Sequence, residues 1–208
     1  MTSPALARKT QEERTALSDR RMMAAAVSLI VEVGLQATTL AAIGERAGYS
    51  RGLVTHRFGT KAGLFAYVYD TVIGDWLQRL RDAVSGRNGL AALLAVVDAL
   101  CGFIDEAPDE IRAMYLLRFA SIDPAAEFRA NVVKSHNAQK RDLQKWIRGG
   151  QKDGSVDPRI DPPLAAELLC AEVEGLIFRW LANPDTPVRT LHRLLKKELQ
   201  RRFARVKK

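Results

Sequence analysis

Between Arg51 and Lys61 the sequence gathers Arg51, Thr55, His56, Arg57 and Lys61, side chains whose common chemistry is hydrogen-bond donation. Guanidinium forks match paired acceptors, while hydroxyl and ammonium groups suit single phosphate oxygens, so this grouping fits a polyanion. Thr39 and Ser50 stand just before two short apolar-patterned segments, where their hydroxyls can cap helix starts. Covalent chemistry finds no comparable grouping. Cys101 and Cys170 lie far apart without a CxxC, and the histidines at 56, 136 and 192 share no helical i, i+4 pairing. No glycine-rich phosphate loop and no nucleophile with an attendant base is recognisable, so neither an enzyme, a metal site nor a bound cofactor is expected.

The elements that must hold these donors read as helices. Thr10-Gln-Glu-Glu13 has the form of a capping box, opening a helix to Val33 with Met23, Val27, Ile30 and Val33 on one face and Gly34 ending it. A short helix fits Leu40 to Ala47 behind Thr39. After Gly48-Tyr49-Ser50 a second short helix fits Arg51 to Phe58, and Gly59-Thr60-Lys61 opens a longer one to about Val84. Two short helices joined by so tight a turn must cross steeply and closely. Gly44 is small where they press together, Gly48 suits a left-handed turn position, and Ile43, Ala47, Val54 and Phe58 can share a small core. In such a helix-turn-helix the second helix enters the DNA major groove, offering Arg51, Leu53, Thr55, His56 and Arg57 to base edges. Thr39 and Lys61, at helix starts, suit phosphates.

The remaining sequence continues the helical period. Stripes run through Leu90, Leu93, Leu94, Val97, Leu100, Cys101 and Ile104; through Ile111, Met114, Tyr115, Arg118, Phe119 and Ile122; and through Phe128, Val132, His136, Leu143 and Ile147, ending near Gly149-Gly150. A Gly/Asp/Pro-rich loop follows, 154–163. Leu164 to Ala182 is apolar almost all round, which asks for burial on more than one side. The last helix carries Val188, Leu191, Leu195, Leu199, Phe203 and Val206 on one side and a basic cluster on the other. The expected fold is all-α, with about nine helices.

The segment 38–61 resembles the helix-turn-helix of TetR-like (TetR/AcrR) transcription regulators, with Thr39, Ile43, Ala47-Gly48, Ser50, Gly52, Phe58 and Lys61 on the family pattern. The preceding helix and the stretch from Glu174 to Asp185 look like that family's layout. Thr55 departs from it, standing where the family usually has a tyrosine. The resemblance implies a DNA-binding domain (1–60) and an effector-binding and dimerisation domain (61–208, with 61–84 a linking helix). It also implies a homodimer through the last two helices and repression of a palindromic double-stranded DNA operator, relieved by a small molecule. The DNA-binding set is then Thr39, Ser50, Arg51, Gly52, Leu53, Thr55, His56, Arg57 and Lys61. Candidate interface residues are Leu168, Glu172, Gly175, Leu176, Arg179, Trp180, Leu191, Leu195 and Leu199. Phe103, Met114, Tyr115, Arg118, Phe119, His136 and Trp146 are candidates for a partly apolar effector pocket.

Several of these residues have plainer readings. His136 fits a satisfied core histidine as well as an effector contact, and the aromatics fit plain core. Arg118 can pair with a ligand carboxylate or, inside the fold, with Glu172 or Glu174. Two rivals also stand: a dimeric DNA-binding regulator without a ligand, and a helical ligand-binding or catalytic protein whose motif no longer binds DNA. The 208 residues carry a formal charge of +8, which suits nucleic acid or an acidic membrane surface. No run of about 18 uncharged apolar residues suggests a membrane span, and no apolar N-terminal run suggests secretion, so a cytoplasmic protein is expected. Positive charge is densest from Arg193 to Lys208, outside the reading segment, and there reads as a solvated face or an auxiliary contact.

Overall fold

The structure, a computed structural model, describes residues 10–205. Among them lie nine helices: α1 (Gln11–Ala37), α2 (Leu40–Ala47), α3 (Arg51–Phe58), α4 (Lys61–Val84), α5 (Gly89–Glu106), α6 (Pro108–Ala120), α7 (Arg129–Asp153), α8 (Pro162–Ala182) and α9 (Val188–Phe203). The chain divides into two compact units between Val68 and Tyr69, within α4. Val206, Lys207 and Lys208, which belong to the apolar stripe and basic run noted above, lie outside the described residues.

In the first unit α1 begins as a capping box: Glu13 N–H donates to Thr10 Oγ1 (3.2 Å), and Thr10 N–H donates to Glu13 Oε2 (2.7 Å). Gly34 breaks the helical backbone (φ 77°, ψ 170°), and one further turn reaches Ala37. The buried face is Met22, Ala25, Ala26, Val27, Leu29 and Ile30; of the expected stripe it includes Val27 and Ile30, while Met23 is half-buried. Val33 is half exposed, because the alanines, not the larger valine, turn toward the neighbouring helices where close approach is needed.

The second unit is built on a core of Leu93, Val97, Leu143, Ile147, Val156, Ala166, Leu169, Leu199 and Phe203, drawn from α5, α7, α8, α9 and the loop after α7. The expected stop of α7 at Gly149-Gly150 is corrected: the helix continues to Asp153 and ends on Gly154 in the left-handed region (φ 82°). Gly150 instead serves packing. A Cβ there would fall 2.6 Å from Gly89 Cα and 2.4 Å from Val156 Cγ2, so its lack of a side chain admits the start of α5.

Part of the basic face of α9 is paired within the unit. Arg189 pairs with Asp105, Lys196 with Asp98, Arg201 with Glu198 and Arg202 with Glu172. Exposed pairs of this kind contribute little stability, and Arg193, Lys197 and Arg205 make no ion pair among the described residues.

Candidate nucleic-acid interface and cavity

α2 and α3 meet through a turn whose geometry follows from its residues. Gly48 takes the left-handed conformation (φ 78°, ψ 33°) that a side chain would oppose. Tyr49 N–H donates to Gly44 O at 2.7 Å, bringing the turn down onto α2. A Cβ on Gly44 would lie 2.8 Å from Tyr49 O, so only glycine fits without a shift. Thr39 Oγ1 accepts from Ala42 N–H (3.1 Å) and Ser50 Oγ from Leu53 N–H (3.2 Å), capping both helices. Ile43 and Val54 are fully buried between them, with Ala47 nearly so.

This packing leaves Arg51, Gly52, Leu53, Thr55, His56 and Arg57 exposed along α3, with Val54 the one residue of that run turned inward. The Arg51 side chain makes no ion pair or hydrogen bond among the described residues, and neither does that of His56. Arg57 differs. Its guanidinium grips Asp19 of α1, with Nε donating to Oδ1 at 2.8 Å and Nη2 to Oδ2. The Asp19 side chain is only 13% exposed, so the pair ties α3 to α1. A role for Arg57 at a base edge would require giving up that partner, whereas Arg51 has nothing to give up. Lys61 Nζ donates to Gln36 O (2.8 Å) and lies 5.5 Å from the Phe65 ring centroid. Arg46 is likewise held, by Glu32 and Ser28, and these contacts keep the Glu32 carboxyl below its ordinary pKa, Ser28 contributing most.

The second unit encloses a recess between α4, α5, α6, α7 and α8. Of the expected pocket residues, Phe103, Met114, Tyr115, Arg118 and Trp146 line it. Phe119 does not: it is 45% exposed, packed edge-on against Phe178. His136 does not either, and it is not core. It is exposed, and Ser135 takes the inward position, its Oγ 2.5 Å from Tyr69 Oη. His136 lines a separate recess that shares Gln139, Cys170 and Glu174 with the first. Burial, and then the charge of Arg118, hold His136 below its usual pKa.

Sequence reasoning missed Trp76, Leu100, Gln139, Asp142, Cys170 and Glu174 among the lining residues. Asp142 and Trp146 could have been found as an i, i+4 pair on α7. Counted to its mouth, the recess holds about 700 Å³ of space not filled by atoms, but only about 60 Å³ of that admits water-sized bodies.

Arg118 answers one open alternative. Its Nη1 donates to Glu174 Oε1 (3.2 Å) and its Nε to Tyr69 Oη (3.3 Å), while Glu172 pairs with Arg202. Burial raises the Tyr115 hydroxyl pKa and pushes the Cys170 thiol to about 11, so both are neutral at pH 7.

The expected interface residues are scattered. Leu168 is 50% exposed, Gly175 and Arg179 are exposed, and Trp180 and Leu191 are half-buried. Leu176 is nearly buried and Leu195 packs on the core. Leu199 is corrected: it is fully buried within its own chain and has no surface to give a partner. Leu164 and Phe178, not singled out beforehand, are 70% and 47% exposed and extend the Leu168–Gly175 face of α8.

Residues 22–68 match the family described as bacterial regulatory proteins, tetR family. Over 191 residues, 87% of this chain and 88% of the relative, the sequence is 29% identical to the HTH-type transcriptional regulator TtgR of Pseudomonas putida. A transcriptional regulator of Saccharomonospora viridis, solved in complex with choline, superposes with a TM-score of 0.80 at 18% identity, covering 93% of this chain and 100% of that one. The SmeT–triclosan complex superposes with a TM-score of 0.75 at 19% identity, covering 91% and 92%. Likeness at those identities establishes the shared fold, and the matched segment coincides with the capped, glycine-turned helix pair. Over residues 22–68 the chain carries the helix-turn-helix segment of the family described as bacterial regulatory proteins, tetR family, and along its length it shares the fold of those solved regulators.

Proposed function

We propose that this regulator acts as a homodimeric repressor that occupies a palindromic operator and leaves it when a small molecule binds the second unit. The observation that carries the reading is the exposed face of α3, where Arg51, Leu53, Thr55 and His56 stand clear of a capped helix pair. The contacts would be made by Thr39, Ser50, Arg51, Gly52, Leu53, Thr55, His56 and Lys61, with Arg57 holding α3 to α1. The exposed Leu164, Leu168 and Phe178 of α8 support a partner copy, since an apolar face of this kind is otherwise left in water. A stable dimer would bury roughly 1,600 Å², and paired reading heads about 34 Å apart would face the same side of a duplex.

The recess supports an effector, and its ligand must favour the conformation that does not bind DNA; by linkage, DNA then weakens ligand binding by the same factor. Two relatives of this layout were solved with ligands as unlike as choline and triclosan, so the layout alone does not set ligand chemistry.

The test is selection of bound duplexes from a random library at two salt concentrations. An enriched inverted repeat is the expected result. Salt-sensitive retention without enrichment would reduce the reading to charge-driven association, and no retention would refute it. One observation favours a second reading, a dimeric DNA-binding regulator without an effector: water-sized space in the recess falls well short of the roughly 300 Å³ of ordinary ligand pockets. Absence of binding by every small molecule tried, with operator binding intact, would select it.

A further inference from the structure

We infer that the recess of the second unit selects an organic cation: a small apolar body bearing a positive head, seated on Asp142 and Trp146. The inference rests on the effector reading above and adds to it the charge of the ligand.

Arg118, Asp142 and Glu174 are the basic and acidic side chains of the lining. Arg118 and Glu174 satisfy one another at 3.2 Å. The Asp142 side chain has no ion pair and no hydrogen bond among the described residues, although Arg141 and Lys145 are its near neighbours in sequence. The lining therefore carries one carboxylate without a partner, half-buried at the edge of a mostly apolar recess, where a cation would find a charge to match.

The aromatic surroundings point the same way. Trp76 and Phe103 are stacked on each other at 5.2 Å, with the Arg79 guanidinium 5.3 Å from the Phe103 centroid, and Arg118 lies 5.4 Å from that of Tyr115. Trp146 has neither a ring nor a cation against it among the described residues. It stands one helical turn after Asp142 on α7, so a carboxylate and an indole share one edge of the recess. Carboxylate plus indole is a pairing that holds ammonium groups by charge and by the ring quadrupole. One turn before Asp142, Gln139 Nε2 is buried without a hydrogen-bond partner, leaving an amide to meet a polar atom of the ligand. An anionic ligand meets the opposite situation, since the lining cation, Arg118, is already taken by Glu174.

The experiment compares three probes of nearly one size by calorimetry: benzyltrimethylammonium, its carbon isostere neopentylbenzene, and the anion 3-phenylpropanoate. The expected order is cation, then isostere, then anion, with about a tenfold gap between the first two. Asp142→Asn should bring the cation down to the isostere while leaving the isostere unchanged, and Asp142→Glu should keep the preference. Equal binding of cation and isostere by the wild type, or a preference that survives Asp142→Asn, overturns the cation assignment and leaves the effector reading standing. Binding by none of the three overturns the cation assignment and, with operator binding intact, removes support for the effector reading as well.

Discussion

Replacing Gly44 by alanine should loosen the reading head although alanine is the better helix former. The gain in propensity is about 1 kcal/mol. Against it stands the new Cβ, 2.8 Å from Tyr49 O and 3.2 Å from both Ser50 C and Arg51 N. All three are backbone atoms, so no side-chain rotation relieves the clash, and overpacking of this kind costs about 1–3 kcal/mol. The turn must also move away from α2, stretching the Tyr49 N–H to Gly44 O bond and disturbing the Ser50 cap, which contributes about 1 kcal/mol more. The net expectation is a loss of about 1–3 kcal/mol. Trp76, Trp146 and Trp180 all lie in the second unit, so tryptophan fluorescence would report on the wrong part. The assay is urea unfolding followed by far-UV circular dichroism, with hydrogen exchange read on α2 and α3. Gly52→Ala is the control, because the nearest atom to its added Cβ is Ser50 Oγ at 3.8 Å; it should be neutral or stabilising by up to about 1 kcal/mol. If Gly44→Ala is as stable as the wild type, or Gly52→Ala loses as much, the steric account of this turn is refuted.

Arg57→Gln and Asp19→Asn should show a coupling of about 0.5–1 kcal/mol in a double-mutant cycle, the half-exposed guanidinium keeping it modest. Arg57→Gln should weaken all duplexes alike; relaxed specificity at one base pair would mean that Arg57 leaves Asp19 to read DNA. Lys61→Gln should flatten the salt dependence of DNA binding by about one charge, and an unchanged slope would remove Lys61 from the phosphate contacts. Leu168→Glu should shift sedimentation from dimer to monomer with helicity intact, since the side chain is half exposed in the single chain; a persisting dimer would move the interface elsewhere. Because the folded-state pKa of His136 is lowered from 6.5, the unfolded chain takes up the proton first. Its contribution is thus intact above about pH 6.5 and lost as the pH falls below it, so His136→Gln should make stability decline less steeply there; an unaltered slope would show that other groups carry that dependence.

The features legible in the sequence are those whose causes lie within a few residues. Thr10, Thr39 and Ser50 cap helices because a hydroxyl reaches backbone N–H groups two or three positions on. Gly34 and Gly48 mark breaks because each adopts a positive φ that other residues resist. The same locality made the helix-turn-helix and its exposed donors readable, together with the all-helical class and the bounds of α2, α3 and α4.

What the tertiary structure alone decided concerns partners distant in sequence. Gly149-Gly150 has the local form of a helix stop, yet the approach of Gly89 gives Gly150 a packing role inside α7. Arg57 has the form of a base reader until Asp19, far back on α1, takes its guanidinium. Helical spacing put His136 on the buried stripe, while Tyr69 accommodated the smaller Ser135 there. Glu174 rather than Glu172 met Arg118, leaving Asp142 the unpaired charge in the recess. Local backbone chemistry sets caps, turns and periods from the sequence by itself; which charges are matched and which face is buried depends on what packs opposite, and only the assembled helices supply that.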